Sequence, residues 1–178
     1  RGTRLASSDG SSGEVVALLQ LLLRGTDPRV TREAVAALGS IQDPSAARAI
    51  HTVLRAATGE HRQAVCDALV ADRDPRVVPM LARIVRESDP LGKDHQVVLE
   101  TLTALGAVGS DHAIPSIAEA IARRGFFGRK KLRALKEAGV SALAAIGTPE
   151  ASAALDRAAK TGDRMLKKAV AEHGRKNR

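Results

Sequence analysis

The chain has 178 residues, enough to bury a core of its own, and 44% of them are hydrophobic, which excludes a wholly disordered polypeptide. Aromatic residues make up 1%, two Phe with no Trp or Tyr, which argues against an aromatic-lined ligand pocket or a base-stacking platform. The net charge of +8 is unevenly carried: residues 1–122 hold 13 Lys/Arg against 15 Asp/Glu, whereas residues 123–178 hold 15 against five, a net of +10.

In chain order, Arg1–Gly13 is polar, and a linker is expected over residues 1–12, ahead of a single domain over 13–178. The first residue is Arg rather than Met, so the expectation is the C-terminal part of a longer protein. A first helix is predicted near 13–24. Val15, Val16, Leu18, Leu19, Leu21, Leu22 and Leu23 cover every side of it, and a helix apolar all round must be buried all round. Something is therefore expected to cover it: an upstream repeat or domain of the same polypeptide, or a second copy through self-association.

Nine further helices are predicted near 28–40, 44–57, 60–71, 75–87, 93–108, 112–124, 129–146, 149–160 and 163–173. Four segments align, beginning at Ala37, Ala68, Ala104 and Ala142, with spacings of 31, 36 and 38. The register continues downstream, because Ile50, Leu81, Ile117 and Leu155 each fall thirteen residues after their starting Ala. Each unit is an apolar helix ending in Ala-Leu-Gly or an equivalent, a short polar link, and a new helix start. Asp43, Asp74 and Thr148 are placed to cap that start, with Pro44, Pro75 and Pro149 at its first position, where a missing N–H costs nothing. Asp27-Pro28 and Asp89-Pro90 look like matching starts in two further repeats.

This pattern resembles the HEAT-repeat family, and more closely the bacterial HEAT-like repeats also found in phycobilisome lyase subunits. The best residues are Ala104-Leu105-Gly106 and Ala145-Ile146-Gly147-Thr148-Pro149-Glu150-Ala151. The resemblance covers nearly the whole chain after the polar start. It implies an all-α fold, a right-handed α-solenoid or superhelix of about five antiparallel helix pairs with a concave inner face. It implies scaffolding and docking more than any reaction.

The chemistry of the residues agrees with a chain that binds. One cysteine, Cys66, leaves no disulfide framework and no thiolate metal site; it reads as a small buried hydrophobe in a reducing, cytoplasmic compartment. No apolar run is long enough to span a bilayer, and the N-terminus lacks the signal-peptide pattern. His51, His61, His95, His112 and His173 are scattered, with no HExxH and no close His pair, so no catalytic, metal or cofactor residues are assigned. No glycine-rich phosphate loop occurs.

The segment 123–136 stands apart, with seven cations, both aromatics and no acid. One reading has Phe126 and Phe127 anchoring a longer link onto the core. The functional reading is a basic docking surface of Arg123, Arg124, Phe126, Phe127, Arg129, Lys130, Lys131, Arg133 and Lys136, joined by Arg164, Lys167 and Lys168 from the next helix pair. Leu132 and Leu135 are assigned to the core stripe, and Lys130, Arg133 and Lys136 to other faces. The expected function is a non-enzymatic protein-interaction scaffold, and the alternative is binding to nucleic-acid phosphates. A DNA glycosylase of HEAT-like type needs aromatic residues and a carboxylate in its groove, and the missing Trp and Tyr count against it. A lyase handling an open-chain tetrapyrrole is likewise unsupported, because no Cys/His or aromatic chromophore pocket is visible.

Overall fold

The structure is a computed structural model that describes residues 8–25, 27–41, 43–125 and 128–176; the side chains of residues 8–11 and Lys176 are outside that description. Among the described residues there are ten α-helices: α1 (Ser8–Leu22), α2 (Pro28–Ser40), α3 (Pro44–Ala56), α4 (Gly59–Val70), α5 (Val78–Glu87), α6 (His95–Val108), α7 (Ile114–Ala122), α8 (Arg129–Ile146), α9 (Pro149–Thr161) and α10 (Arg164–Lys176). Short 3₁₀ turns, Pro75–Val77 and Asp111–Ala113, lead into α5 and α7.

The helix starts follow from capping chemistry. The carboxylates of Asp27, Asp43 and Asp74 accept hydrogen bonds from the backbone N–H groups of Arg29, Ser45 and Arg76, and the Thr148 hydroxyl accepts from Ala151 N. In each case the next residue is Pro, at the first helical position. Asp89-Pro90 is different. The Asp89 Oδ1 atom accepts from Leu91 N and Gly92 N, so this dipeptide closes a turn, and α6 begins only at His95. The ends are equally local: α6 and α8 stop at Gly109 and Gly147, whose φ values of 76° and 71° lie in the left-handed region that favours a residue without Cβ.

The helices form two layers. The odd-numbered helices stack in the order α1, α3, α5, α7, α9, and the even-numbered ones in the order α2, α4, α6, α8, α10. The core lies between them, and Leu38, Ile50, Leu54, Leu81, Leu102, Leu105, Ile117, Leu135 and Leu143 are all fully buried. Such alkyl packing allows close approach. A Cβ on Gly106 of α6 would sit 2.7 Å from the Ala142 Cα of α8, so the two backbones touch at that point. The result is an α-solenoid.

Two expectations change at α1. The helix starts at Ser8, five residues before the predicted boundary, because propagating a helix that already packs on α2 and α3 needs no further nucleation. Nor is it buried all round. Val16 and Leu23 face the core, whereas Val15, Leu18, Leu21 and Leu22 are exposed, Leu18 by 63% and Leu21 by 60%. Unlike α3, α5, α7 and α9, α1 packs on no preceding odd helix among the described residues.

A candidate docking edge

Consecutive helices run in opposite directions, so one edge of the stack gathers the last turns of the odd helices and the first turns of the even ones. On the C-terminal half of this edge lie Arg123 and Arg124 after α7, Arg129, Lys130 and Lys131 opening α8, and Arg164, Lys167 and Lys168 opening α10. Two stretches more than thirty residues apart in sequence thus meet on one surface. Phe126 and Phe127 lie outside the described residues.

The cations divide into two kinds. Some are engaged. Arg123 donates to the Arg86 carbonyl at 3.4 Å, and Lys131 donates from Nζ to the Gly92 carbonyl at 2.8 Å, fastening the α5–α6 link. Arg133 pairs with Glu137 at 2.7 Å and with Glu172 at 3.7 Å, and Lys168 reaches Glu172 at 3.6 Å. Arg124, Arg129, Lys130, Arg164 and Lys167 are exposed, with no ion pair among the described residues. A cleft of about 340 Å³ runs between α8 and α10, with Arg129 and Arg164 along it beside the Arg133–Glu172 pairing.

Lys136 corrects the sequence reading. It is 0% exposed and belongs to the interior, not to the basic surface. Its Nζ donates to the Ile121 carbonyl in the last turn of α7 at 2.9 Å and to Asp163 Oδ2 at 2.8 Å. The other Asp163 oxygen caps α10 by accepting from Leu166 N at 2.8 Å. Burial pushes the Asp163 carboxyl up, but the Lys136 hydrogen bond, the Leu166 N–H and the Lys136 charge bring it below its ordinary value overall. Lys136 therefore joins three helices. The signal was present in the sequence, since Lys136 sits four residues after Leu132 and four before Val140, on the buried stripe.

Two further exposed cations on the same edge, Arg157 and Lys160 of α9, escaped the sequence reading because they fall outside the run 123–136. Placing them there requires the stacking of α9 on α7.

In the N-terminal half of the edge the cations nearest the core are paired, while Arg24, Arg86 and Lys93 stand exposed without an ion pair among the described residues. Asp94, 4% exposed, lies 3.4 Å from both His51 and Arg55 of α3 and accepts from Asp89 N through its other oxygen at 3.1 Å. Burial raises the Asp94 carboxyl, yet that hydrogen bond and the charges of His51 and Arg55 hold it below its usual range. In α4, Arg62 Nε donates to both Glu100 oxygens at 2.8 Å. His51 and Asp94 thus meet across two helices, a contact no sequence spacing announces. Among the described residues no cluster of three or more His, Cys, Asp or Glu could hold a metal ion, and no helix is long and apolar enough to cross a membrane.

A two-layer stack of helix pairs repeating every 31 to 38 residues is an α-solenoid repeat protein. Residues 15–95, from the middle of α1 to the first residue of α6, match the family model for HEAT repeats. The match supports HEAT-type repeats over that part of the chain. HEAT repeats are commonly protein-interaction scaffolds and are typically non-enzymatic. A search of curated proteins finds no match.

Proposed function

We propose that this chain is a non-enzymatic docking scaffold that holds an acidic protein partner on the basic edge of α7–α10. The observation that carries the reading is where the unpaired cations sit. Arg129 and Lys130 open α8, Arg164 and Lys167 lie in the opening turns of α10, and neither helix has an acidic residue in its first turn. Helix N-termini carry partial positive charge, so cations there oppose the helix dipole. Helix stability gives no reason for that placement; attraction of an anionic partner does.

The alternative is the phosphate backbone of a nucleic acid, which the same charges would attract. The scarcity of aromatic residues, with no Trp or Tyr to stack on bases, favours the protein partner. The test is affinity capture from lysate with the chain and with a quadruple variant, Arg129→Glu, Lys130→Glu, Arg164→Glu and Lys167→Glu. These four are unpaired, so reversal leaves the internal ion pairs intact. Loss of a nuclease-resistant protein from the variant supports the scaffold. If only nuclease-sensitive material disappears, the nucleic-acid reading replaces it.

The open face of α1 supports a second docking event, with a second copy of this chain as its occupant. The reason is exposure: Val15, Leu18, Leu21 and Leu22 leave an uncovered apolar face on the first helix of the odd layer. Leu18→Glu with Leu21→Glu is expected to leave thermal unfolding of this chain nearly unchanged while abolishing any concentration-dependent association seen by sedimentation. Association that survives both substitutions would place the contact elsewhere.

A further inference from the structure

Between α7 and α9 lies a cleft of about 270 Å³ with unlike walls and rim. The walls are alkyl: Ala118 and Ile121 from α7, Ala154 and Ala158 from α9, and Leu166 from α10. Arg124 and Arg157 line its rim, and both are exposed without an ion pair among the described residues. Lys136 and Asp163 also line it. Their charges offset one another, and the Lys136 ammonium spends two of its three N–H groups on the Ile121 carbonyl and Asp163. The third has no partner among the described residues.

Helix electrostatics account for the arginines only in part: Arg124, just past the end of α7, and Lys160, in the last turn of α9, lie at negative dipole ends, but Arg157 lies nearly a turn earlier. Neither arginine serves the fold through an acidic neighbour. They flank an apolar space wide enough for an aliphatic side chain and leave two positive charges at its mouth.

We infer that this cleft receives the apolar anchor residue of an acidic peptide, a leucine-type side chain between α7 and α9 with flanking carboxylates on Arg124 and Arg157. The inference rests on the reading of the basic edge as a protein-docking surface and names the sequence chemistry recognised there. Leucine suits the site because alkyl walls without an aromatic ring reward aliphatic burial and offer a base nothing to stack on. Arginine suits it because the guanidinium grips a carboxylate through two parallel N–H bonds. Neighbouring Arg123, Lys160 and Arg164 extend the positive field along the edge and steer an acidic segment toward the cleft.

Fluorescence anisotropy with a labelled heptapeptide, Gly-Ser-Glu-Leu-Asp-Ser-Gly, tests it on the whole chain. Its leucine-to-alanine counterpart, polyglutamate and a single-stranded oligothymidylate serve as comparison ligands. The leucine peptide is expected to bind on the order of tenfold more tightly than the alanine peptide. Two variants should erase that preference: Ala118→Leu, which fills the cleft, and Arg124→Gln with Arg157→Gln, which removes only exposed charge. Unchanged circular-dichroism melting of the arginine variant establishes that its fold is intact. Equal binding of the leucine and alanine peptides, with polyglutamate still bound, would overturn the cleft and leave the basic edge standing. Binding of oligothymidylate with no binding of any acidic peptide or of polyglutamate would overturn both.

Discussion

The two halves of one edge use the same residue types for opposite purposes. In the N-terminal half, Arg55 and Arg62 are matched by Asp94 and Glu100, the carboxylates standing just before and within α6 while the arginines belong to α3 and α4. These cations hold the stack together. In the C-terminal half, Arg124, Arg129, Lys130, Arg157, Lys160, Arg164 and Lys167 stand exposed without an ion pair among the described residues, although the acids Glu137 and Glu172 lie within α8 and α10 and are taken by Arg133 and Lys168. A cation on a solenoid edge is thus either a fastener or an available charge. The division follows the partners the stacking supplies, not the local sequence.

Lys136 is the fastener set among the available charges, and breaking it gives the largest expected effect. Lys136→Ala leaves the Ile121 carbonyl and Asp163 without their donor, at a cost of roughly 2–4 kcal/mol in stability. Thermal unfolding measures it, and a loss no larger than that of an exposed lysine would place Lys136 outside the fold's support. The same pair sets an acid dependence. The Asp163 carboxyl is held below its usual 3.8, so its contribution is present above that value and lost as pH falls through the lowered one. Melting curves from about pH 5 to about pH 2 should show a smaller acid-induced fall for Lys136→Met than for the unaltered chain. An identical fall in both would assign the acid sensitivity elsewhere, with Asp94 the next group to vary.

Arg62 tests the fastener role in the other half. Its guanidinium and the Glu100 carboxylate are each about one-fifth exposed, so solvent screens the pair only in part. Arg62→Gln is expected to cost roughly 1–2 kcal/mol in unfolding, less than Lys136→Ala because water can still reach Glu100. A double-mutant cycle with Glu100→Gln should recover most of that loss as a coupling between the two residues. Two independent, additive losses would mean that each side chain acts through its own helix alone.

Much of the fold was legible because its punctuation is local. Asp27, Asp43 and Asp74 followed by proline, and Thr148 followed by proline, place four helix starts, since the cap and the missing N–H act within three residues of each other. Asp89-Pro90 shows the limit of that logic. The same dipeptide closes a turn once Gly92 follows and Asp94 takes Asp89 N. The basic run was legible as charge but not as a surface. The sequence cannot show that Arg133 meets Glu172 thirty-nine residues later, that Lys136 passes between α7 and α10, or that Arg157 comes to lie beside Arg124. Each depends on how one repeat stacks on the next, and small rotations per repeat decide it.

The smallest expected effect falls on the available charges and separates the two roles most sharply. Arg129 and Lys130 stand at the positive end of the α8 dipole with no acidic residue in the first turn. Arg129→Gln with Lys130→Gln removes this repulsion and should raise the melting temperature slightly, on the order of 1 °C. In the same variant, binding to an acidic partner should weaken, and its dependence on salt should flatten as two long-range attractions disappear. A fastener cannot behave in this way, because removing it lowers stability and leaves binding to follow the fold. A fall in melting temperature on neutralising Arg129 and Lys130 would show that they brace α8 against a neighbour, and the contrast between the two halves of the edge would vanish.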